Sequence, residues 1–554
     1  MKKLTRYLSL LTIIALLVCS LSSAKAAFDS EDGGYDTAIS AMENMEPYVP
    51  GEVVAAADSR EHAESIAAYY KMTLKSYDYG IAVFTTSSAE LSVLQSERTR
   101  AVGMPTLHLN KVYYICEDIE SKPETQDNTV NSTAPNYMQW HHSMMNTTQA
   151  WEYSRGAGVL VAVIDTGVDI DHGDLSHCLS PLAYNAVTKQ TGLNYVRDDQ
   201  GHGTHVSGII AADSDNGCGI APDATLLVIK ANNPSDPRYF EMSSMLTGVN
   251  YAVAQGAHII NMSIGHSYAS GADALEKSTI AHAVAQGIMV VAAAGNDSYF
   301  HASYPAAYPE VIAVSAVKTD GKFDPTYSAY GSEVNISAPG TDIYSTAKGG
   351  GYTLKTGTSM SCPNVVGVLA LLKSMHPDYT PLQLQEKLYA SARQTGTLGA
   401  NEYYGYGIAN AYAAVLPDAN LYHVTYDLGT TTSGPYIVRV APGNNLIEPT
   451  RPLRDMHGFK YWTTDAKGFN VFNFTSDISN SFTLFAQWDE PAKLELGEWV
   501  VAQFLGNYAQ GDVGLENEGS TVLINKSASP FTIAAKIIRK SDGATRYIGI
   551  EKGE

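Results

Sequence analysis

An unbroken apolar run, Val159–Ile164, ends at Asp165. Such a run is typical of a central strand of a parallel sheet, covered on both faces. Between residues 150 and 416, apolar strands alternate with helical patterns. Strands are predicted at 225–230, 259–262 and 289–293, and helices at 242–255 and 272–286. The alternation predicts an α/β domain, a parallel sheet with helices on both faces. Asp165 then lies at the carboxyl end of a strand, where open α/β sheets place their active sites.

Two further motifs place polar side chains at the start of apolar helices. Gly201–His205 precedes the apolar residues 209–212, so His202 is predicted near a helix start. Gly357-Thr358-Ser359 leads into the apolar residues 365–372, with Ser359 in the first helical turn. A serine nucleophile needs a base, a carboxylate that orients the base, and donors for the developing oxyanion. Asp165, His202 and Ser359 together satisfy the first two needs.

Each motif alone has a simpler interpretation. Asp165 could cap a turn, and Asp-Thr-Gly also occurs in aspartic proteases, which need a second such aspartate; this chain has none. His202 could cap a helix or bind a metal with His205. The metal interpretation is the weaker one, because no Glu stands between the histidines and no third ligand has matching spacing.

The three motifs, with Val290–Asn296, resemble the subtilisin-like serine proteases, or subtilases. The resemblance implies that Asp165 orients the base, His202 is general base and acid, and Ser359 is the nucleophile. It assigns Asn296 to the oxyanion hole, with the backbone N–H of Ser359 as second donor.

The resemblance also implies where a substrate binds. The segment Ile259–Gly265 matches the family's substrate-binding strand, whose main chain would pair with an extended peptide. The implied substrate-binding residues are Ser263, Ile264, Gly265, Ala293, Gly295 and Ser303. Relatives often carry glycine at the position of Ser303, so we expect a shallower pocket that disfavours the largest aromatic residues. Asp297 is expected at the pocket rim. Asn364 stands where the family usually has histidine, with little expected effect on the chemistry.

No cofactor is expected to be required, and no metal ligand is assigned. The segment Asp213–Gly219 looks shorter than the calcium loop of many relatives, so structural calcium stays unassigned. A Cys178–Cys218 disulfide is left open. The formal net charge of -21 disfavours nucleic acid and anionic membranes as partners. Protein or peptide substrates are the expected partners.

The residues before the catalytic domain have two predicted parts. Residues 1–26 have the basic start, short apolar run and small-residue end of a secretory signal peptide. Residues 27–135 are predicted to form a propeptide and linker, with a β-α-β-β-α-β order typical of ferredoxin-like domains. The position resembles the inhibitory propeptide of subtilases; an unrelated small α/β domain is the alternative.

The catalytic domain is predicted over residues 136–417, and the pattern then changes to short strands. Residues 420–490 resemble the small β-rich repeat of internalins and other bacterial surface proteins, and 491–554 form a further β-rich module. These small β-rich modules suggest an association with the cell surface. The predicted function is a secreted or surface-associated serine endopeptidase. The alternative is a catalytically impaired adhesin or scaffold that uses its C-terminal modules.

Overall fold

The computed structural model describes most of the chain between Tyr48 and Ile550. The described residues are 48–87, 89, 93, 104–115, 139–214, 219–430, 435–452, 454, 457, 459–489, 495–496, 499–505, 513–517, 521–525 and 533–550. The chain divides into two compact units. Unit 1 comprises Met1–Tyr113, Glu241–Ser243 and His266–Leu275, and unit 2 comprises Tyr114–Phe240, Ser244–Gly265 and Glu276–Glu554.

The described strands and helices are numbered separately, each in chain order. The strands are β1 (Tyr48–Ala56), β2 (Thr73–Asp78), β3 (Ile81–Thr85), β4 (His108–Ile115), β5 (Leu160–Asp165), β6 (Tyr184–Asn185), β7 (Gln190–Thr191), β8 (Thr225–Lys230), β9 (Tyr239–Glu241), β10 (Ile259–Met262), β11 (Ile264–Gly265), β12 (Met289–Ala293), β13 (Ile312–Val317), β14 (Val334–Pro339), β15 (Ile343–Thr346), β16 (Tyr352–Lys355), β17 (Tyr422–Asp427), β18 (Tyr436–Val440), β19 (Phe459–Thr463), β20 (Phe482–Trp488), β21 (Glu495–Leu496), β22 (Trp499–Leu505), β23 (Val513–Asn517), β24 (Thr521–Asn525), β25 (Ile533–Arg539) and β26 (Thr545–Ile550). The helices are α1 (Arg60–Tyr70), α2 (Trp140–Met145), α3 (Thr147–Ala150), α4 (His202–Ala211), α5 (Met242–Ala254), α6 (Ala274–Ala285), α7 (Thr358–Met375), α8 (Pro381–Ser391) and α9 (Ala411–Val415).

Unit 1 contains an antiparallel sheet in the strand order β4-β1-β3-β2. Helix α1 begins at a cap in which the side chain of Ser59 accepts a hydrogen bond from the backbone N–H of His62. Ile66 of this helix joins Val53 and Phe84 of the strands in one apolar core. The predicted second helix, at 88–97, lies largely outside the described residues, as does the linker at 117–135.

Unit 2 contains the predicted parallel sheet, in the order β14-β13-β12-β10-β5-β8-β6, with β7 pairing antiparallel to β6 at the edge. Strand β5 lies between β10 and β8, and its last residue, Asp165, pairs with Lys230. The apolar run that predicted a covered central strand therefore lies in the middle of the sheet. The predicted α/β fold with a mainly parallel sheet is confirmed.

Helices cover both faces of this sheet. Val163 and Val228 belong to the same core cluster as Val206 of α4 and Val365 of α7. Ile164 and Ile229 are the next residues along their strands, so their side chains point to the opposite face. There they meet α5, because a Cβ on Gly248 of that helix would lie 3.0 Å from Ile229 and 3.5 Å from Ile164.

The described C-terminal strands form small sheets, the first of which is mixed because β17 and β20 pair in parallel while β18 and β19 pair antiparallel at its edges. Strands β17–β20 form one sheet in the order β18-β17-β20-β19, around a core that includes Val424, Trp462 and Leu484. Beyond it, β21, β22, β25 and β26 form a second sheet and β23–β24 a hairpin. In the part of the chain that the structure describes, no helix combines the length and the apolar character needed to cross a bilayer.

Candidate active site

Asp165 and His202 meet at the carboxyl end of the parallel sheet. His202 is the first residue of α4, and its Nδ1 lies 2.8 Å from Oδ1 of Asp165, with both side chains fully buried. Gly203 permits this approach, because a Cβ there would lie 2.2 Å from the carbonyl oxygen of Gly167. With the proton on Nδ1, the Nδ1–H donates to the carboxylate and Nε2 is the ring nitrogen able to accept a proton.

A second buried carboxylate, Asp198, holds this corner together. It accepts hydrogen bonds from Thr166 Oγ1 and from the backbone N–H groups of Gly201 and Thr204. Burial alone raises the pKa of Asp198, but the hydrogen bonds from Thr204 and these N–H groups outweigh it and lower the pKa below 3.8. Asp198 therefore stays ionised and fixes the start of α4. Sequence reasoning missed it, because an aspartate before a helix is common.

Ser359 lies in the first turn of α7 and faces the strand end at Ser263. Its hydroxyl donates to the carbonyl oxygen of Ser263 over 2.9 Å, and the hydroxyl of Ser263 donates back to the carbonyl of Ser359 over 2.9 Å. The structure thus ties the predicted nucleophile to the predicted substrate-binding strand.

Asn296 is fixed beside Ser359 by Thr358. Its Oδ1 accepts from the backbone N–H of Thr358 over 2.8 Å and from the Thr358 hydroxyl over 2.7 Å. The amide nitrogen Nδ2 points the other way, and a Cβ on Gly357 would lie 2.8 Å from it and 3.7 Å from the backbone nitrogen of Ser359. Two donors therefore border one small space that only glycine at position 357 leaves clear. Sequence reasoning predicted Asn296 but missed the orienting role of Thr358.

The remaining predicted binding residues lie on segments that approach one another at Ser303. A Cβ on Gly295 would lie 2.4 Å from Oγ of Ser303, and a Cβ on Gly265 would lie 3.3 Å from the Cβ of Ser303. Ser303 thus lies between the segment 263–265 and the segment 293–295. Ala293 is the buried last residue of β12. Asp297 is exposed, and its Oδ1 accepts from the backbone N–H of Tyr299.

The end of β4 lies along the predicted substrate-binding strand. Ile115 pairs with Ile264 and Tyr114 with Gly265, in antiparallel register. On its other edge, the N–H of Ile115 donates to the carbonyl of Arg238 over 3.1 Å. Residues 114–115 therefore occupy the position predicted for an extended substrate peptide.

Three other features considered in the sequence are His205, Asn364 and the cysteine pair Cys178 and Cys218. Nε2 of His205 lies within 3.1 Å of the carbonyls of Ile343 and Thr353, so its partners differ from those of His202. Buried Asn364 donates to the carbonyls of Pro339 and Met360. Cys178 is a free buried thiol, and Cys218 lies outside the described residues. The described residues contain no cluster of three or more His, Cys, Asp or Glu able to hold a metal.

Comparison with known proteins supports one family for this arrangement. Residues 156–407 match the model of the subtilase family. Subtilisin DY of Bacillus licheniformis is 39% identical over 266 residues, which cover 47% of this chain and 92% of that protein. The thermostable alkaline protease of Halalkalibacterium halodurans is 39% identical over 289 residues, 51% of this chain and 74% of the relative. Subtilisin E of Bacillus subtilis is 38% identical over 265 residues, which cover 47% of this chain and 66% of that protein.

The chain belongs to the subtilase family. It is a serine endopeptidase that acts on peptide or protein substrates, and the scaffold alternative is not favoured. This subtilase carries a second recognisable module, because residues 422–487 match the Listeria-Bacteroides repeat domain. A β-rich repeat is therefore present within the range predicted for one, and it matches the Listeria-Bacteroides type.

Proposed function

We propose that this subtilase hydrolyses peptide bonds through Asp165, His202 and Ser359, with Asn296 in the oxyanion hole. The observation that carries the proposal is the 2.8 Å contact between His202 Nδ1 and Asp165. The two donors that border Gly357 support the assignment of the oxyanion hole. The Ser359 hydroxyl turns from the Ser263 carbonyl to Nε2 of His202, which takes its proton as Oγ attacks the substrate carbonyl.

The proposed site then follows the charge through the reaction. The carbonyl oxygen becomes negative and accepts hydrogen bonds from Nδ2 of Asn296 and the backbone N–H of Ser359. His202, now protonated and held by Asp165, donates its proton to the leaving amine, so an acyl group remains on Ser359. Water, activated by His202, hydrolyses that ester. Activity falls as pH falls, because a protonated imidazole cannot accept the hydroxyl proton.

Covalent labelling of the matured enzyme with a fluorophosphonate tests this proposal. We expect labelling of Ser359, loss of labelling and of peptidase activity in Ser359→Ala and His202→Ala, and retention in Ser361→Ala. Ser361 is a matched control, since it is a buried serine of the same helix whose hydroxyl donates to the carbonyl of Ala338. Peptidase activity that survives in purified Ser359→Ala would contradict the assignment.

We further propose that the residues before the catalytic domain form an inhibitory propeptide. The pairing of residues 114–115 with Ile264 and Gly265 supports this role, because a bound strand excludes substrate. Cys116 lies outside the described residues, but a peptide that continues the antiparallel register past Ile115 would bring its next residue opposite Ser263. Since the Ser263 carbonyl accepts from the Ser359 hydroxyl, the peptide bond 116–117 is the proposed processing site.

Sequencing of the new amino termini tests the processing site. We expect a terminus at Glu117 in the wild type and uncut full-length chain in Ser359→Ala. The propeptide should also assist folding, because a parallel sheet depends on non-local contacts and folds slowly. Full activity recovered from a chain that starts at Tyr137, with no propeptide, would count against the folding role.

Secretion and surface association complete the proposal. The basic start, short apolar run and small-residue end of residues 1–26 favour export, and the Listeria-Bacteroides repeat favours retention near a cell surface. Fractionation of cells that express the full chain, or the chain cut after residue 417, tests the second part. Equal amounts of both proteins on the surface would contradict a role for the repeat.

A further inference from the structure

We propose that the segment Asp236–Tyr239 determines specificity: Tyr239, supported by Arg238, selects an aromatic side chain at the third residue before the cut bond. This inference rests on the proposed function, because it takes the position of the cut from Ser359. It concerns a contact that the triad and the pocket around Ser303 do not make.

The position of the third residue follows from the register of β4. Tyr114 pairs with Gly265 and Ile115 with Ile264, so a peptide that continues in this register would bring its next residue opposite Ser263. That serine's carbonyl accepts from the Ser359 hydroxyl, which places the attacked carbonyl on the residue opposite Ser263. Counting back from that residue, Tyr114 stands at the third position. A substrate that pairs with β11 in the same way presents its own third residue there.

The side chain of Tyr114 meets an aromatic ring at this position. The rings of Tyr114 and Tyr239 lie 5.0 Å apart between centroids and are perpendicular. This edge-to-face arrangement is a favourable geometry for two aromatic rings, because the positive edge of one faces the negative face of the other. An aliphatic or charged residue at the third position cannot reproduce that contact.

Neighbouring groups hold Tyr239 in place. The guanidinium carbon of Arg238 lies 5.6 Å from the centroid of the Tyr239 ring, at cation–π distance. Asp236 fixes that guanidinium through two hydrogen bonds, of 3.1 and 2.9 Å. The backbone N–H of Asn233 donates to the carbonyl of Tyr239 over 2.7 Å and closes the loop.

The charges of this segment cancel one another. Because Arg238 is paired with Asp236, the segment offers a substrate a ring rather than a net charge. We therefore expect selection for Tyr, Phe or Trp over Ala, and no selection for acidic or basic side chains. The ring of Tyr239 is partly exposed even beside Tyr114, so it is accessible to a substrate once the propeptide has left.

Two internally quenched peptides that differ only at the third residue before the cut, Tyr or Ala, test the proposal. With the matured wild type we expect kcat/KM to be about two- to tenfold higher for the Tyr peptide, the range typical of one aromatic pair. The ratio should fall to about one in Tyr239→Ala and in Tyr239→Leu, which keeps bulk but lacks a ring. It should persist in Tyr239→Phe.

The ratio of kcat/KM for the Tyr peptide to kcat/KM for the Ala peptide is measured within each variant. A loss of activity that affects both peptides equally therefore cancels. Tyr153→Ala, which removes an exposed tyrosine elsewhere in unit 2, is the matched control and should keep the wild-type ratio. A wild-type ratio of one, or an unchanged ratio in both Tyr239→Ala and Tyr239→Leu, would overturn the inference. Failure of the wild type to cut either peptide would instead contradict the proposed function.

Discussion

The buried side chains of the catalytic core include charged groups, whereas those described in the repeat of strands β17–β20 do not. In the core, Asp165, His202 and Ser359 are fully buried, and Asp198 nearly so. In the repeat, the fully buried large side chains are Trp462 and Tyr426, whose rings lie 4.9 Å apart. Burying charge costs free energy unless hydrogen bonds compensate, whereas burying aromatic rings is favourable by itself. In the core, hydrogen bonds therefore have to offset the free-energy cost of burying reactive groups. In the repeat, the burial of aromatic rings itself stabilises a small module.

Removal of Trp462 tests the repeat's side of this comparison and has the largest expected effect. Trp462→Ala should lower the free energy of unfolding of the repeat by about 3–5 kcal/mol, as for other large core aromatic residues. Among the described residues its Nε1 has no hydrogen-bond partner, so truncation leaves no polar group orphaned.

Denaturant unfolding monitored by tryptophan fluorescence measures this loss, with Trp488→Phe as the control. Peptidase kcat/KM in the native state should stay at the wild-type value. A parallel fall in kcat/KM would show that the loss of Trp462 also disturbs the active site.

Removal of Asn296 tests the catalytic core's side of the comparison. Asn296→Leu should lower kcat by about 10² to 10³ with KM nearly unchanged, a scale established on subtilisin itself and not obtained from this structure. The reason is that Nδ2 of Asn296 gains its strongest hydrogen bond only when the substrate oxygen becomes charged. Steady-state kinetics on one peptide measure both constants. A variant with altered KM alone would mean that Asn296 only shapes the pocket.

Buried histidines allow a third test, through pH. His141 of α2 is fully buried, 4.2 Å from the ring of His142 between centroids. Burial, reinforced by His142 and His205, lowers the pKa of His141 well below 6.5. Below pH 6.5 the unfolded chain therefore binds a proton that the folded chain does not, so the free energy of unfolding decreases as pH falls.

His141→Gln should remove this part of the pH dependence. Between pH 6.5 and 5, the free energy of unfolding of the wild type should fall by up to about 1.4 kcal/mol per pH unit more than that of the variant. Urea unfolding at several pH values measures the difference, and His423→Gln, at an exposed site, is the control. Parallel pH profiles for wild type and His141→Gln would contradict the argument.

The sequence predicted those parts of the site that depend on short, local sequence motifs. The run that ends at Asp165 and the glycines around His202 and Ser359 each predict a strand end or helix start, and the structure has them there. The partners of Thr358 and Asp198 were missed. Thr358 orients Asn296 from 62 residues away, and the neighbours of Asp198 include a strand-end threonine. The contact of Thr358 depends on how distant segments are brought together, which no local pattern encodes, whereas Asp198 was missed because an aspartate before a helix is common. The role of Tyr239 depends in the same way on a pairing between distant segments.

Ser303 offers the smallest expected effect and the sharpest test of the pocket. Its hydroxyl lies where a Cβ on Gly295 would come within 2.4 Å, so it fills space between the pocket's two walls. Ser303→Gly should deepen the pocket and raise kcat/KM for Phe relative to Ala before the cut bond by about tenfold, the low end for one methylene-sized group. Exposed Asp297 should add less than about 1 kcal/mol of preference for a basic residue. Mass-spectrometric mapping of cuts in denatured casein measures both preferences, with Asp297→Asn as the companion variant. Dominant cutting after Phe and Tyr in the wild type, unchanged in Ser303→Gly, would refute the steric argument, because the pocket would then already accept the largest rings with the hydroxyl in place.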